Sequence, residues 1–188
     1  MKTIIRLATL SLVSAVCFWS TPARADDTGR AGIDVLVGVP VFQHRFAAFD
    51  KQPLTLTLTD TVRLSEQIGI NFNVADGMRL GISAQLIEAL TQPADPYPSR
   101  LTGIQIQPGA SFKLFDSFWL GFDAVFATRL DGINQFGFAL QPNLRAQTEI
   151  GGGFSLLLAV QVPVYVIPEL SVGITPFLGL MYQDPVVQ

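Results

Sequence analysis

The residue in this chain best suited to acid–base chemistry is His44, its only histidine. An imidazole near the rim of a lipid-modifying enzyme could act as a base if a nucleophile and an orienting carboxylate lie within hydrogen-bond reach. The sequence contains no G-x-S-x-G motif, and no second histidine could replace His44. We therefore expect His44 to be a solvated residue, and we predict that the protein is not an enzyme.

Ligands for a metal ion or a cofactor are few. One histidine and the single Cys17 leave mainly carboxylates as metal ligands. The aspartates of 94–99 and 128–134 lack the regularly spaced ligands of a calcium loop. The segment "GGGF" (151–154) has neither a lysine nor a following helix, so it does not indicate a phosphate loop. The sequence predicts no metal and no cofactor.

Charged residues recur on one face of segments that alternate in polarity. They are Asp34, Arg79, Lys113, Asp123, Arg129 and Arg145. If this face is the inside of a narrow barrel, the charges can neutralise one another within a plug, or they can line a selective pore. An interior just wide enough for side chains favours the plug. We predict a lumen charge network.

The first 25 residues have the features of a secretory signal peptide. Lys2 and Arg6 precede a short apolar run, and "ARA" supplies small residues for cleavage after Ala25. Residues 26–188 then form a single domain without cysteine, which excludes disulfides and thiol catalysis.

The charge balance after cleavage is acidic. Lys2, Arg6 and Arg24 leave with the signal peptide, so the 12 basic residues fall to nine against 15 acidic ones, a net charge of −6. This balance argues against a nucleic-acid partner.

The composition is unusually apolar for its charge, with 49% hydrophobic and 14% charged residues. After the signal peptide, Gly, Gln, Pro or a charged residue interrupts every apolar stretch, so none is long enough for a transmembrane helix. An apolar excess without a spanning helix is typical of a transmembrane β-barrel.

Period-2 alternation and turn residues predict eight strands. They cover about 31–44, 64–74, 78–90, 102–114, 117–130, 134–148, 153–166 and 169–182. The second, fourth and sixth connections are short, as expected of periplasmic turns, and the first, third and fifth are longer, as expected of external loops.

The two faces of these strands differ in a way that indicates which one is inside. One face carries Phe, Leu, Ile and Val, whereas the other carries Gly, Gln, Asn and a few charges. The water-facing side of a soluble sheet would be rich in Lys, Glu and Thr. Small and amide side chains suit the crowded interior of an eight-stranded barrel. We therefore predict that the polar face is the lumen and that the apolar face, including Phe122, meets lipid.

Aromatic residues and prolines refine this prediction. Phe72, Phe112, Phe118 and Phe154 each lie near a predicted periplasmic turn, as an interfacial girdle requires. Prolines fall inside the predicted strands at Pro40, Pro108, Pro142, Pro163 and Pro176. Because proline lacks an N–H for the ladder, we expect β-bulges at these positions.

The chain resembles the small eight-stranded outer-membrane β-barrels of the OmpA type over about residues 31–182. The resemblance is architectural and implies an all-β, antiparallel, up-and-down transmembrane β-barrel in the bacterial outer membrane. It also implies two partners, outer-membrane lipid and the barrel-insertion machinery, which commonly reads a terminal aromatic residue. Here the chain ends "LGLMYQDPVVQ", so Tyr182 is the nearest candidate. No extracellular or periplasmic partner is indicated.

The role implied is structural or one of surface interaction. Three alternatives remain open from the sequence: a narrow channel for small solutes, a lipid-modifying outer-membrane enzyme that uses His44, and a soluble periplasmic barrel that binds an apolar ligand.

Strand register predicts an aromatic–cation layer around Trp119. A tight hairpin centred on Asp116 would place Lys113 opposite Trp119, and a loop centred near Gly132 would place Arg145 opposite it as well. Cations over an indole face are attracted by its quadrupole. We expect Trp119 inside the lumen between these two cations.

Overall fold

The computed structural model describes residues 29–45, 63–90, 101–129, 135–167 and 170–183, which form ten strand segments. The segments are β1 (Ala31–Gly38), β2 (Phe42–Arg45), β3 (Arg63–Ala75), β4 (Met78–Ala89), β5 (Leu101–Phe115), β6 (Phe118–Arg129), β7 (Gln135–Gly151), β8 (Phe154–Gln161), β9 (Val164–Ile167) and β10 (Ser171–Gln183). In these ranges no helix is long and apolar enough to cross a membrane. The predicted signal peptide lies outside the described residues.

The segments close into a barrel of eight antiparallel strands. Hydrogen bonding follows the order β1, β3, β4, β5, β6, β7, β8, β10, and β10 pairs back with β1. Two strands are interrupted: β2 continues β1 along β10, and β9 continues β8 between β7 and β10. The predicted fold class is confirmed, and the strand limits agree with the prediction within a few residues.

The pairing register fixes the stagger of the barrel. From Gly38 the cross-strand pairs lead through β3, β4, β5 and β6 to Gln135 in one direction, and through β10 and β8 to Arg145 in the other. These two positions on β7 are ten residues apart. Ten residues of stagger over eight strands correspond to a strand tilt of about 40°.

Three short hairpin turns lie at one end of the barrel. They join β3 to β4, β5 to β6 and β7 to β8. Gly77 and Gly151–Gly153 adopt positive φ angles in two of these turns, where residues with a Cβ are disfavoured. The first and last strands, which hold the chain ends, pair with each other at the same end, as Gly32 with Gln183. We call this the turn end.

Burial confirms the predicted faces. Phe122 is 53% exposed and Leu140 is 56% exposed on the outside, whereas Gln107, Gln141 and Gln161 are almost fully buried. The interior also contains an apolar cluster that the sequence did not predict. It consists of Leu36, Leu157, Ala159, Phe177 and Met181, contributed by β1, β8 and β10.

Exposed phenylalanines lie at two levels of the outer surface, one near the turn end and one farther from it. Phe72, Phe112, Phe118 and Phe154 are exposed near the turn end, as predicted. The ring of Phe154 lies 4.9 Å from that of Tyr182. Phe126 and Phe138 form a second ring contact, at 5.5 Å, farther from the turns.

The expectation of bulges at the five prolines is wrong for three of them. Pro40 and Pro163 lie in the interruptions between segments. Pro108, Pro142 and Pro176, however, keep ordinary partners in Ile82, Phe122 and Val160. Near Pro40 the expected bulge is present, since the four steps from Gly38 to Phe42 oppose three steps from Phe177 to Ile174 on β10. Another register shift lies away from the prolines, between Asn73 and Ala75.

Hydrogen bonds to the proline carbonyl groups explain why these strands accommodate proline without a bulge. Pro142 accepts a hydrogen bond from the Val162 amide at 3.0 Å, and Pro176 accepts one from the Val39 amide at 3.2 Å. Pro163 accepts one from the Gly173 amide at 2.9 Å. Each proline therefore removes one donor from the ladder and retains its acceptor, which needs no inserted residue.

Candidate functional site

The candidate site is the set of polar side chains that fills the lumen, which we call the lumen network. Alternation directs these side chains inward because successive residues of a strand point to opposite faces. The network consists of Asp34, Gln67, Asn71, Arg79, Gln85, Gln105, Gln107, Asp123, Gln141, Asn143, Arg145, Gln147 and Gln161.

An ion pair crosses the lumen between β1 and β7. Arg145 Nη1 lies 3.1 Å from Asp34 Oδ2, and Asp34 is only 2% exposed. The same guanidinium donates through Nε to Asn143 Oδ1 at 3.2 Å. Asn71 Nδ2 also donates to Asp34 Oδ2, at 3.4 Å. The carboxylate is therefore both paired and hydrogen-bonded, as a buried charge requires.

Trp119 lies inside, and its predicted register is confirmed: it pairs with Lys113 on one side and Arg145 on the other. The predicted cation is wrong. The guanidinium over the indole belongs to Arg79, with Cζ 3.7 Å from the ring centroid. Arg145 instead reaches Asp34, and the Lys113 ammonium lies 3.9 Å from Asp116 at the turn end.

Arg79 and Trp119 form the layer of the network nearest the turn end. Arg79 Nε donates to Asn73 Oδ1 at 3.0 Å, and Nη1 donates to Gln147 Oε1 at 2.9 Å on the far side of the barrel. A planar guanidinium can stack on an aromatic ring and donate in its own plane at the same time. The layer of Arg79, Trp119 and Gln147 is called the floor.

Asp123 has amide partners. Its Oδ2 accepts hydrogen bonds from Asn143 Nδ2 at 2.6 Å and from Gln141 Nε2 at 3.4 Å. Its Oδ2 atom therefore faces β7, while its Oδ1 atom lies over Gly109 of β5.

Glutamines fill the lumen farther from the turns. The glutamine layer consists of Gln67, Gln85, Gln105, Gln107, Gln141 and Gln161, which lie seven to ten residues along their strands from the short turns. Gln107 Nε2 donates to Gln85 at 2.5 Å and to Gln105 at 2.9 Å. An amide offers donors and acceptors without a net charge, so it closes a buried interior at lower desolvation cost than an ion.

Both acids of the network and Asn143 lie over a glycine of the adjacent strand, a pattern that the sequence analysis missed. Asp34 pairs with Gly69, Asp123 with Gly109, and Asn143 with Gly121. A Cβ at any of these glycines would collide with the paired side chain. The signal could be found only by aligning neighbouring strands in register, since the partners are 14 to 35 residues apart in sequence.

Two predicted site residues are described only through their backbone. Arg129 pairs with Gly103 and Gln135, and His44 pairs with Val172 on β10. Their side chains lie outside the described part of the structure, so their predicted roles stay predictions. Among the described residues, no three His, Cys, Asp or Glu side chains come together as metal ligands would.

Hydrogen bonds and an ion pair span the lumen. They join Asp34 to Arg145, Arg79 to Gln147, Gln67 to Gln161, and Gln105 to the Tyr165 hydroxyl at 2.7 Å. Each connects barrel strands with two others between them, which in an eight-stranded barrel are nearly opposite. A cavity of about 30 Å³ remains beside Asp34 and Asp123. These contacts can stabilise the barrel and block its lumen.

Comparison with known proteins finds no matching protein family and no matching curated sequence. Solved structures do match. The attachment invasion locus protein Ail of Yersinia pestis, in complex with the heparin analogue sucrose octasulfate, has 12% identity and a TM-score of 0.50, covering 83% of this chain and 99% of Ail. The outer membrane protein OprG of Pseudomonas aeruginosa has 10% identity and a TM-score of 0.50, covering 83% of this chain and 96% of OprG. The chain has the fold of the small eight-stranded outer-membrane β-barrels.

Proposed function

We propose that this protein is an integral β-barrel of the bacterial outer membrane with a structural or surface-interaction role. Its apolar outer surface supports a membrane location. On β6 the outward residues from Phe118 to Phe126 lie eight residue steps apart, which at a tilt of about 40° correspond to roughly 20 Å along the barrel axis. This height is close to the apolar band of about 25 Å found on outer-membrane barrels.

The observation that carries the proposed role is the closed lumen. Side-chain contacts cross it, and the floor and the glutamine layer fill it at two levels. A channel for solutes needs a continuous path, whereas the pocket beside Asp34 and Asp123, between the floor and the glutamine layer, has a volume of only about 30 Å³. The structure therefore favours a plug over a small-solute channel.

The remaining alternatives have less support. An enzyme based on His44 would still lack a recognisable nucleophile motif. A soluble barrel that binds an apolar ligand would keep its apolar face inside. In this barrel the outward residues are large and apolar, such as Phe136 and Leu178, both more than half exposed. We therefore propose a non-enzymatic membrane barrel.

Two partners follow from this proposal. Outer-membrane lipid would cover the apolar belt, and the barrel-insertion machinery would assemble the protein. Tyr182 is a suitable terminal aromatic residue, since it lies one residue before the end of β10 and contacts Phe154 near the turn end.

Flux through reconstituted protein tests the closed lumen. We expect vesicles that contain the wild-type barrel to retain small sugars and ions as well as protein-free vesicles do. The double variant Asp34→Ala/Arg145→Ala removes one cross-lumen contact without leaving an unpaired charge, and it should leak more. Thr128→Ala, an outward change on β6, serves as the matched control. Porin-like sugar flux through the wild type would refute the plug.

An epitope tag tests membrane orientation and surface exposure. Residues 91–100 connect β4 to β5 at the end opposite the short turns. A tag inserted there should bind antibody on intact cells, whereas a tag at Asp116 should bind only after the outer membrane is permeabilised. The opposite pattern, or labelling of neither tag with the protein released by carbonate, would refute the proposed location.

A further inference from the structure

We propose that the turn end of the barrel is seated in the lipid interface, and that an apolar side chain at each short turn anchors it there. The inference rests on the proposed membrane location and assigns lipid a further contact surface. Each short hairpin has one extra residue just before its turn, and we call these three the bulge residues. They are Val74, Leu114 and Ile150.

The pairing register shows the same β-bulge in all three hairpins. On β3, Asn73 pairs with Arg79 and Ala75 pairs with Met78, so two steps on β3 oppose one step on β4. The hairpins of β5 with β6 and of β7 with β8 repeat this shift at the same distance from their turns. A bulge leaves one residue unpaired and re-aims the side chains beside it.

The three turns also share a sequence pattern. It reads "NVADGM" (73–78), "KLFDSF" (113–118) and "EIGGGF" (149–154). A polar or charged residue precedes the aliphatic bulge residue, and Met or Phe opens the next strand. Turns that face water favour Gly, Pro, Asn, Asp and Ser, so an aliphatic residue at the same place in all three turns indicates an apolar contact.

The bulge residues extend the apolar belt to the height of a bilayer. They face outward, with Val74 45%, Leu114 47% and Ile150 62% exposed. Along β5, the outward residues from Ile104 to Phe112 cover about 21 Å of the barrel axis at a tilt of about 40°. Leu114 raises this height to about 26 Å, which matches the apolar band of about 25 Å on outer-membrane barrels. The bulge residues are therefore continuous with the lipid-covered belt.

At the turn between β5 and β6 the bulge also moves a phenylalanine to the outside. Phe115 has the same sequence parity as the lumen residues Gly109 and Ser111, so strict alternation would direct it inward. Instead it is 71% exposed, and its ring meets that of Phe118 edge-on with the centroids 6.3 Å apart. Aromatic side chains at this level are typical of the interfacial girdle of an outer-membrane barrel.

Carboxylates limit how deep the turns can lie. Asp76 and Asp116 occupy two of the turns, and the Asp116 side chain is fully exposed. A charge in the hydrocarbon is costly, so the tips of these turns stay among the lipid headgroups. The like charges of Asp76, Asp116 and Glu149 also disfavour contact between the turn ends of two copies of the chain.

Fluorescent probes test the depth of the turns in vesicles of phosphatidylcholine. Residues 26–188 contain no cysteine, so single cysteines can be labelled with the environment-sensitive fluorophore NBD. At Leu114→Cys and Ile150→Cys we expect strong quenching by a doxyl group near the lipid glycerol and weak quenching by aqueous iodide. Asp116→Cys is the aqueous control and should show the reverse. Phe122→Cys is the mid-belt control and should respond best to a doxyl group deep in the acyl chain.

The controls separate this proposal from the membrane location. Iodide quenching at Leu114→Cys and Ile150→Cys as strong as at Asp116→Cys, with lipid quenching retained at Phe122→Cys, would overturn the proposal and leave the membrane barrel intact. Shielding of both sites from iodide and from lipid would also overturn it, because a second copy would then cover the turns. Loss of lipid quenching at Phe122→Cys would refute the membrane location itself.

Bilayer thickness gives a second test without a probe. The variant Val74→Ser/Leu114→Ser/Ile150→Ser shortens the apolar height at the turn end. We expect its urea midpoint to fall more in dimyristoyl than in didecanoyl phosphatidylcholine, because only the thicker bilayer covers the turns.

The matched control for this test is Ile82→Ser/Leu144→Ser/Leu158→Ser, which changes three exposed aliphatic residues within the belt. Its urea midpoint should fall in both lipids. An equal fall for the turn variant in the two lipids would overturn the proposal.

Discussion

Gly109 and Gly103 show how closely single residues are fitted inside the lumen. Both glycines lie on β5 and face the interior. A Cβ on Gly109 would collide with Asp123 Oδ1 and would come within 2.7 Å of the Phe122 carbonyl oxygen. A Cβ on Gly103 would meet its nearest atom, the Thr128 carbonyl oxygen, at an ordinary 3.5 Å.

We therefore expect Gly109→Ala to destabilise the barrel by about 1–3 kcal/mol, since overpacking forces side chains and backbone to shift. Gly103→Ala should be neutral or slightly stabilising, because alanine costs less backbone entropy than glycine on folding. Urea unfolding in detergent micelles measures both. Equal stabilities of the two variants would contradict the close approach of Asp123 to Gly109.

The neighbours Phe122 and Asp123 should respond oppositely to substitution. Phe122→Arg places a charge on the apolar surface near mid-strand, at a cost of about 2–4 kcal/mol, and should impair insertion. Phe122→Leu is its control. Asp123→Asn keeps the shape of the side chain inside the lumen and should still insert. Normal insertion of Phe122→Arg into vesicles would show that the face assignment is wrong.

Asp123→Ala is expected to cost more than Asp123→Asn. Gln141 already donates to Asp123, so it cannot replace the lost acceptor, and Asn143 loses its partner as well. Leaving such buried donors unpaired costs about 1–3 kcal/mol.

Residue types predict which face of a strand a side chain lies on better than they predict which other side chains it contacts. Alternation alone places Trp119 inside and Phe122 outside, since the side-chain period of a strand is two. It does not select Arg79 as the cation over Trp119, because Arg79 lies two barrel strands away and reaches the ring with a long side chain. That contact depends on the stagger of the closed barrel.

At the scale of the strands, the prolines lie together in one part of the wall. Pro142, Pro163, Pro176 and Pro40 belong to four consecutive barrel strands, those of β7, β8–β9, β10 and β1–β2. The carbonyls of Pro142, Pro163 and Pro176 remain bonded. Four prolines without an N–H leave fewer ladder donors here than in the wall of β3 to β6, where Pro108 is the one proline among the described residues. The sequence alone shows which strands contain proline. It does not show that a proline whose carbonyl keeps its hydrogen bond needs no bulge.

Hydrogen exchange tests this weaker wall. We expect the amides of Val39 and Val162 to exchange faster than those of Ile70 and Leu120, which pair with no proline, because a single bond replaces the usual reciprocal pair at Val39 and Val162. Pro176→Ala should slow exchange at Val39 by restoring a donor opposite it, and Leu178→Ala should not. Uniform protection around the barrel would rule out a local weakness at the prolines.

For the whole molecule, the inside and outside form two distinct environments. The outside is a continuous apolar belt, whereas the inside combines the lumen network with the apolar cluster around Leu36 and Phe177. Composition and alternation predicted the belt, because the apolar side chains of an outer-membrane barrel face outward to lipid, whereas those of a soluble protein face the core. They did not predict the apolar cluster, since its members on β8 and β10 share the inward face with polar or small residues such as Ser155, Gln161 and Gly173.

The central claim is that lipid covers the apolar face of a closed barrel while the other face is inaccessible from the membrane. Paramagnetic relaxation by doxyl groups on lipid tails tests it directly in nanodiscs, without any substitution. Along β6, the account predicts strong relaxation of side-chain protons at Leu120, Phe122 and Phe126, and weak relaxation at Val125 and Ala127. Relaxation of both sets to the same extent, or stronger relaxation at Val125 and Ala127, would contradict it.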